Sequence, residues 1–164
     1  CGAVWIFSLR LIYMWKEYKF MRGLTIDELN IGDRGCIEKV VTCEDVYSFA
    51  KITGDFNPLH TDKFKYKDKF KKRIAHGILL TGYISACIGM KFPGPGTIYL
   101  SQNSKFNLPV YFGDNIKVEV EVLEIYKKEN IVKLKTTCIN HNNSKVLTGE
   151  AFVMPPLKWS KKLQ

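Results

Sequence analysis

A chain of 164 residues, 46% of them apolar, can bury one real hydrophobic core and is most simply a single domain. Its formal charge of +9 favours anionic partners, nucleic acid among them, and keeps the protein soluble without bearing on the fold. The five cysteines form no CxxC pair and the three histidines complete no zinc spacing beside them, which excludes a disulfide scaffold and a zinc module, and suggests reduced thiols and a cytoplasmic home.

Residues 1–22 are read apart from the rest. Cys1 to Leu9 and Leu11 to Trp15 are apolar, but Arg10 divides them. Together they fall short of the roughly 20 apolar residues that a membrane-crossing helix needs. No basic segment precedes them as in a secretory signal. The stretch reads as an upstream translation or a truncated leader, with a peripheral anchor or a lipidated Cys1 as alternatives. Met21-Arg22-Gly23 is a more natural beginning for the domain. Thr25 to Leu29 reads as a short helical turn, Ile31-Gly32-Asp33 as a reverse turn and Gly35 to Val41 as a strand. Thr42 can cap a helix through its hydroxyl, with Glu44 and Asp45 in the favourable first turn. Val46, Phe49 and Ala50 share one face of that helix, and Gly54 ends it.

The helix leads straight into Thr53-Gly54-Asp55-Phe56-Asn57-Pro58-Leu59-His60. Pro58 between Asp55 and His60 argues against one regular helix through both, while Gly54 and Asn57-Pro58 mark a turn that can aim both side chains into one cavity. A carboxylate and an imidazole in one cleft can hold and activate a water. Equally, Asp55 and Asn57 can bond their own loop backbone. Residues 61–73 alternate lysines with Phe64, Tyr66 and Phe70. That run is either a solvated face with aromatic anchors inward or a contact for an anionic carrier. No nucleic-acid fold signature accompanies it, so nucleic acid is not an expected partner.

Ile74 to Met90 carries no charge, yet it is too short for a comfortable membrane span, and Gly77, Gly82 and Gly89 are poor helix formers. After the Pro93-Gly94-Pro95-Gly96 turn come four strand-like segments: Thr97 to Phe106, Asn115 to Tyr126, Ile131 to Asn140, and Lys145 to Met154 beyond a turn at His141 to Ser144. One apolar segment followed by a four-strand meander predicts an α+β domain over residues 23–156. A loose basic tail, 157–164, completes the chain.

Gly54-Asp55-Phe56-Asn57-Pro58-Leu59-His60, then Ala75-His76-Gly77-Ile78-Leu79, resembles the signature of the MaoC-like (R)-specific enoyl-CoA hydratases. The likeness continues through Pro93 to Leu100 and Leu108 to Asp114 and ends near Gly149 to Val153. It implies a single hot-dog domain, in which an antiparallel sheet wraps a long central helix lying in the 74–92 stretch. A helix apolar all round would then be buried all round.

The resemblance also implies the reaction: reversible addition of water to a trans-2-enoyl thioester, giving the (R)-3-hydroxyacyl thioester. Asp55 and His60 would hold the water and act as the acid/base pair, and the backbone N–H of Gly77 would stabilise the thioester oxyanion. Asn57 would fix the loop or be a plain turn residue. Ser85 would hydrogen-bond within the site or simply to the preceding helical turn. Ile88 and Val153 would line the acyl tunnel or be ordinary core. His76 would hold the loop rather than act as a base. The implied substrate is an acyl-CoA or acyl carrier protein thioester. No metal or redox cofactor is implied, and a homodimer with one continuous sheet is. A non-catalytic acyl-thioester-binding hot-dog protein and a thioesterase are the rival readings.

Overall fold

Strict alternation of apolar and charged residues from Asn115 onward drives the second half of the chain into strands that bury one face each. A computed structural model describes residues 22–61, 70 and 72–158. Most of the apolar extension, most of the lysine-rich run and residues 159–164 of the basic tail lie outside the described residues.

Strands β1 (Arg34–Val40), β2 (Ile98–Phe106), β3 (Asn115–Tyr126), β4 (Ile131–Asn140) and β5 (Lys145–Met154) form one antiparallel sheet. On β3 the side chains of Ile116, Val118, Val120 and Val122 are fully buried, and Val132, Leu134, Val146, Leu147, Ala151 and Val153 continue that inner face. Burying one such aliphatic side chain is worth about 1.5–3 kcal/mol. A one-residue slip would turn the four from β3 into water, so the register is firmly set.

The strand order is β1-β3-β4-β5-β2. Only β3, β4 and β5 form a meander; β2 pairs with β5 at one edge and β1 with β3 at the other. The expected four-strand meander is therefore corrected. Alternation identifies which face of a strand is buried but not which strand lies beside it. The connection Asn107 to Asp114 carries the chain from β2 across to the far half of the sheet, and on the way Val110 accepts a hydrogen bond from the Ala75 amide at 2.8 Å.

Helix α1 (Cys43–Thr53) is built by its ends. The Thr42 hydroxyl accepts from the Asp45 amide at 3.0 Å, and the Asp45 carboxylate accepts from the Thr42 amide at 2.9 Å, a reciprocal cap. At the other end Gly54 turns left-handed, φ 78°, and its N–H closes on the Ala50 carbonyl. Helix α2 (Gly77–Met90) lies against the inner face of the sheet and buries Leu80, Ile84, Cys87 and Ile88.

The expectation that α2 is buried all round is only partly met. Ile78 is 57% exposed and Met90 44%, and Gly82 and Ser85 beside them are exposed too. The sheet covers the helix from one side, and among the described residues nothing covers Ile78, Gly82, Ser85 and Met90 on the other. Among the described residues no helix is long and apolar enough to cross a membrane.

Candidate active site

The loop between α1 and α2 is a series of side-chain and backbone turns. The Thr53 hydroxyl accepts from the Asp55 amide, Asp55 Oδ1 accepts from the Asn57 amide at 3.2 Å, and Asn57 Oδ1 accepts from the Leu59 amide at 3.1 Å. The His60 amide then closes on the Asn57 carbonyl at 2.9 Å. Short polar side chains thus do the work of a backbone ladder. The loop-bonding reading of Asp55 is met by Oδ1, while Oδ2 lies 3.8 Å from His76 Nε2.

The segment that follows is clamped from both sides. The Ile74 amide bonds to the Leu59 carbonyl at 3.1 Å and the Ala75 amide to Val110. Held so, the Ile74 carbonyl accepts from Nδ1 of His60 at 2.8 Å. A carbonyl only accepts, so Nδ1 carries the hydrogen, and Nε2 of the neutral ring presents its lone pair. His76 is fixed in the opposite sense: its Nε2 donates to the Asp55 carbonyl at 2.9 Å, and its buried Nδ1 has no hydrogen-bond partner among the described residues. The rings of His60 and His76 stack at a tilt with centroids 3.9 Å apart, and Phe49 packs on His76 at 4.9 Å. His76 therefore holds the Asp55 loop and the His60 ring at once, the loop-holding role its place in the sequence suggested.

One oxygen of Asp55 and one ring nitrogen each of His60 and His76 all lie within 4.8 Å of one another. Such a cluster raises the question of a metal. Imidazole lone pairs lie in the ring plane, however, and the two rings are tilted by only 34°, so they do not aim at one point about 2 Å away. A water fits better: two hydrogen bonds of about 2.8 Å meeting at one oxygen span about 4.6 Å.

His60 is buried and opens on a cleft of about 530 Å³. Gly77, Ile78, Phe106, Leu108 and Val110 form much of the rest of its wall, which is mostly apolar. Asp55 stands outside that wall, half exposed, with Oδ2 3.8 Å from His76 Nε2. Gly77 is the first residue of α2, so its N–H belongs to the first-turn amides that a helix cannot satisfy itself. That end of the helix also favours negative charge. Asn57 stays in the loop. Ser85 is exposed two turns further along α2, and Ile88 and Val153 are buried in the core. None of these three lines the cleft described here.

Burial holds the pKa of His60 below its ordinary 6.5; His76 adds to this, while the Ile74 carbonyl and Asp55 partly offset it. The ring is thus kept ready to accept a proton at neutral pH. Because the folded value is the lower one, the unfolded chain takes up the proton first. The His60 contribution therefore costs stability only as pH falls below 6.5 and is absent above it. The acid limb of kcat/KM for water addition is expected below pH 6.5, as read from a pH profile with substrate well under saturation. A limb above 6.5 would contradict a buried, proton-accepting His60.

A model of the MaoC-like domain matches residues 33–143. This chain belongs to the MaoC-like family. It is 40% identical over 139 residues to the 3-hydroxybutyryl-CoA dehydratase of Methylorubrum extorquens, covering 84% of this chain and 88% of the relative. It is 36% identical over 134 residues to the (R)-specific enoyl-CoA hydratase of Aeromonas caviae, covering 81% of this chain and all of that one. Among solved structures, the unliganded R-hydratase PhaJ1 from Pseudomonas aeruginosa superposes with a TM-score of 0.77 at 38% identity, covering 87% of this chain and 95% of the other. The MaoC-like chain has the hot-dog fold of these hydratases: one sheet curled around α2.

The residues missed from sequence are those of the β2–β3 connection and its approach, Phe106, Leu108 and Val110. They lie some thirty residues beyond Gly77 and reach the site through the end of β2 and the connection that crosses from it to β3.

Proposed function

We infer that this chain is an (R)-specific enoyl-CoA hydratase, adding water reversibly to the 2,3 double bond of trans-2-enoyl thioesters. The observation that carries the reading is the convergence of a carboxylate oxygen of Asp55 and a ring nitrogen of His60 beside a cleft whose wall also contains Gly77. Water held between Asp55 and His60 attacks C3 as it gives up a proton to the pair. The electron pair moves through C2 to the thioester oxygen, where the Gly77 N–H and the helix end meet the developing charge. The pair then returns the proton to C2 and the thioester carbonyl re-forms. Every atom of water ends in the product, so the chemistry calls for no redox step.

Crotonyl-CoA incubated with purified protein should lose the absorbance of its conjugated thioester without releasing free thiol. Thiol release would point to a thioesterase. Silence with enoyl thioesters of every chain length, on either carrier, would point to a non-catalytic acyl-binding domain.

A homodimer completes the proposal. Ile98 and Leu100 are exposed on β2, an open sheet edge, and Ile78 and Met90 are exposed on α2. An unpaired edge beside apolar surface invites a second copy. Sizing in solution should find a particle of two 18.9 kDa chains, and a monomer at micromolar concentration would remove this part. Ser85 lies on the face of α2 that such a copy would cover, so it contacts substrate only if the acyl group runs along that face, with Ile88 and Val153 deeper in the same layer.

Residues 23–156 are the proposed catalytic unit, with 1–22 as an extension and 157–164 as a tail; trimming to that unit should retain turnover. A cytoplasmic location agrees with four free cysteines among the described residues. Burial pushes Cys87 up to about 11 and Cys138 to about 12, so both behave as small hydrophobes. Recovery in a membrane or periplasmic fraction would contradict it.

A further inference from the structure

We propose that Phe106 sets the acyl specificity of this site by excluding a substituent at C2 of the enoyl thioester, an inference that rests on the hydratase reading above. Gly77 has no side chain because the space is taken. A Cβ built there would lie 2.9 Å from both Cδ1 and Cε1 of Phe106 and 3.2 Å from Cγ. Carbon atoms pack comfortably at about 3.5–4.0 Å, so the ring sits directly against the Gly77 backbone. It thereby flanks the amide to which the thioester oxygen is assigned.

The backbone that carries the ring is fixed on the sheet. Phe106 is the last residue of β2, paired with Leu147 of β5, and the next amide, Asn107, bonds to the Val146 carbonyl at 2.9 Å. Its other face is open, since the residue is 48% exposed and lines the same cleft as His60. With the thioester oxygen on the Gly77 N–H and C3 facing the water between Asp55 and His60, C2 lies between these two points, two bonds from the oxygen. A hydrogen on C2 is tolerated beside the ring, whereas a methyl group is driven into it. Straight-chain 2-enoyl thioesters are therefore the accepted class and 2-methyl-branched ones the rejected class.

The test compares kcat/KM for 2-methylcrotonyl-CoA and crotonyl-CoA in the full chain and in Phe106→Leu and Phe106→Ala. The natural chain is expected to favour crotonyl-CoA by at least a hundredfold. Both variants should raise the ratio of branched to straight substrate at least tenfold, chiefly through a lower KM for the branched one. Leucine, the milder change at this half-exposed position, carries the test if the alanine variant does not fold. A purely structural role would lower both substrates together and leave the ratio unmoved; that result, or ready turnover of 2-methylcrotonyl-CoA by the natural chain, overturns the proposal while the hydratase reading stands. A natural chain silent on crotonyl-CoA would instead remove the hydratase reading and this proposal with it.

Discussion

His60→Gln is expected to lower kcat on crotonyl-CoA by about 10²–10⁴-fold, the usual worth of a positioned acid–base group. The glutamine amide reaches the region of Nε2 but cannot take up a proton. His60→Asn makes the complementary change: its amide can still donate to the Ile74 carbonyl, as Nδ1 does at 2.8 Å, but nothing remains where Nε2 was. Both variants should fall together if Nε2 is the working atom. Asp55→Asn should fall by a similar factor. It preserves the shape of the loop, because its side-chain oxygen can still accept from the Asn57 amide, and it removes only the charge that faces the histidines. The control is thermal unfolding, which should move little in Asp55→Asn since that side chain is half exposed. Near-wild-type turnover in His60→Gln or Asp55→Asn would remove the assignment of roles, whatever the fold.

How much of this was legible beforehand varies with the kind of information each element carries. Strands β3, β4 and β5 were readable to the residue because alternation of the type Ile116, Val118, Val120 against Lys117, Glu119, Glu121 admits one conformation and one inward face. Helix α1 was readable from its two ends, Thr42 and Gly54. That Asp55 and His60 come close together was readable because both lie in one short loop, where Asn57 and Pro58 leave the chain few conformations. Neighbour relations were not. Nothing in β2 says that it pairs with β5 rather than β3, and so nothing marks Phe106 as a neighbour of Gly77.

Helix α2 shows the opposite limit. Its sides are uniformly apolar, so periodicity could not indicate which of them the sheet covers. Ser85 proved exposed, and Ile88, one turn further on, fully buried. His76 lies between these cases. Its sequence position suggested a holding role, but its stacking on His60 depends on the Ile74 carbonyl holding that ring beside the start of α2, which only the fold supplies.

Gly77→Pro is expected to cost about 10²–10³-fold in kcat relative to Gly77→Ala, the measured worth of one oxyanion donor elsewhere. The comparison works because of where Gly77 stands. Proline is well tolerated as the first residue of a helix, where the missing N–H leaves no helical bond unmade. Proline also requires an extended residue before it, and His76 already has φ −61° and ψ 131°. Both variants add a Cβ, so both displace Phe106 by the same contact, and that shared cost cancels in the ratio. What separates them is the amide hydrogen, together with the ring atoms of proline. If the thioester oxygen is held there, alanine should keep most of the effect of the helix end on kcat while proline loses it. KM should change less than kcat, because the charge on that oxygen is larger in the transition state than in the bound substrate. Equal kcat in the two folded variants would show that the developing charge is met elsewhere, and would leave Gly77 as a residue needed only for the close packing of Phe106.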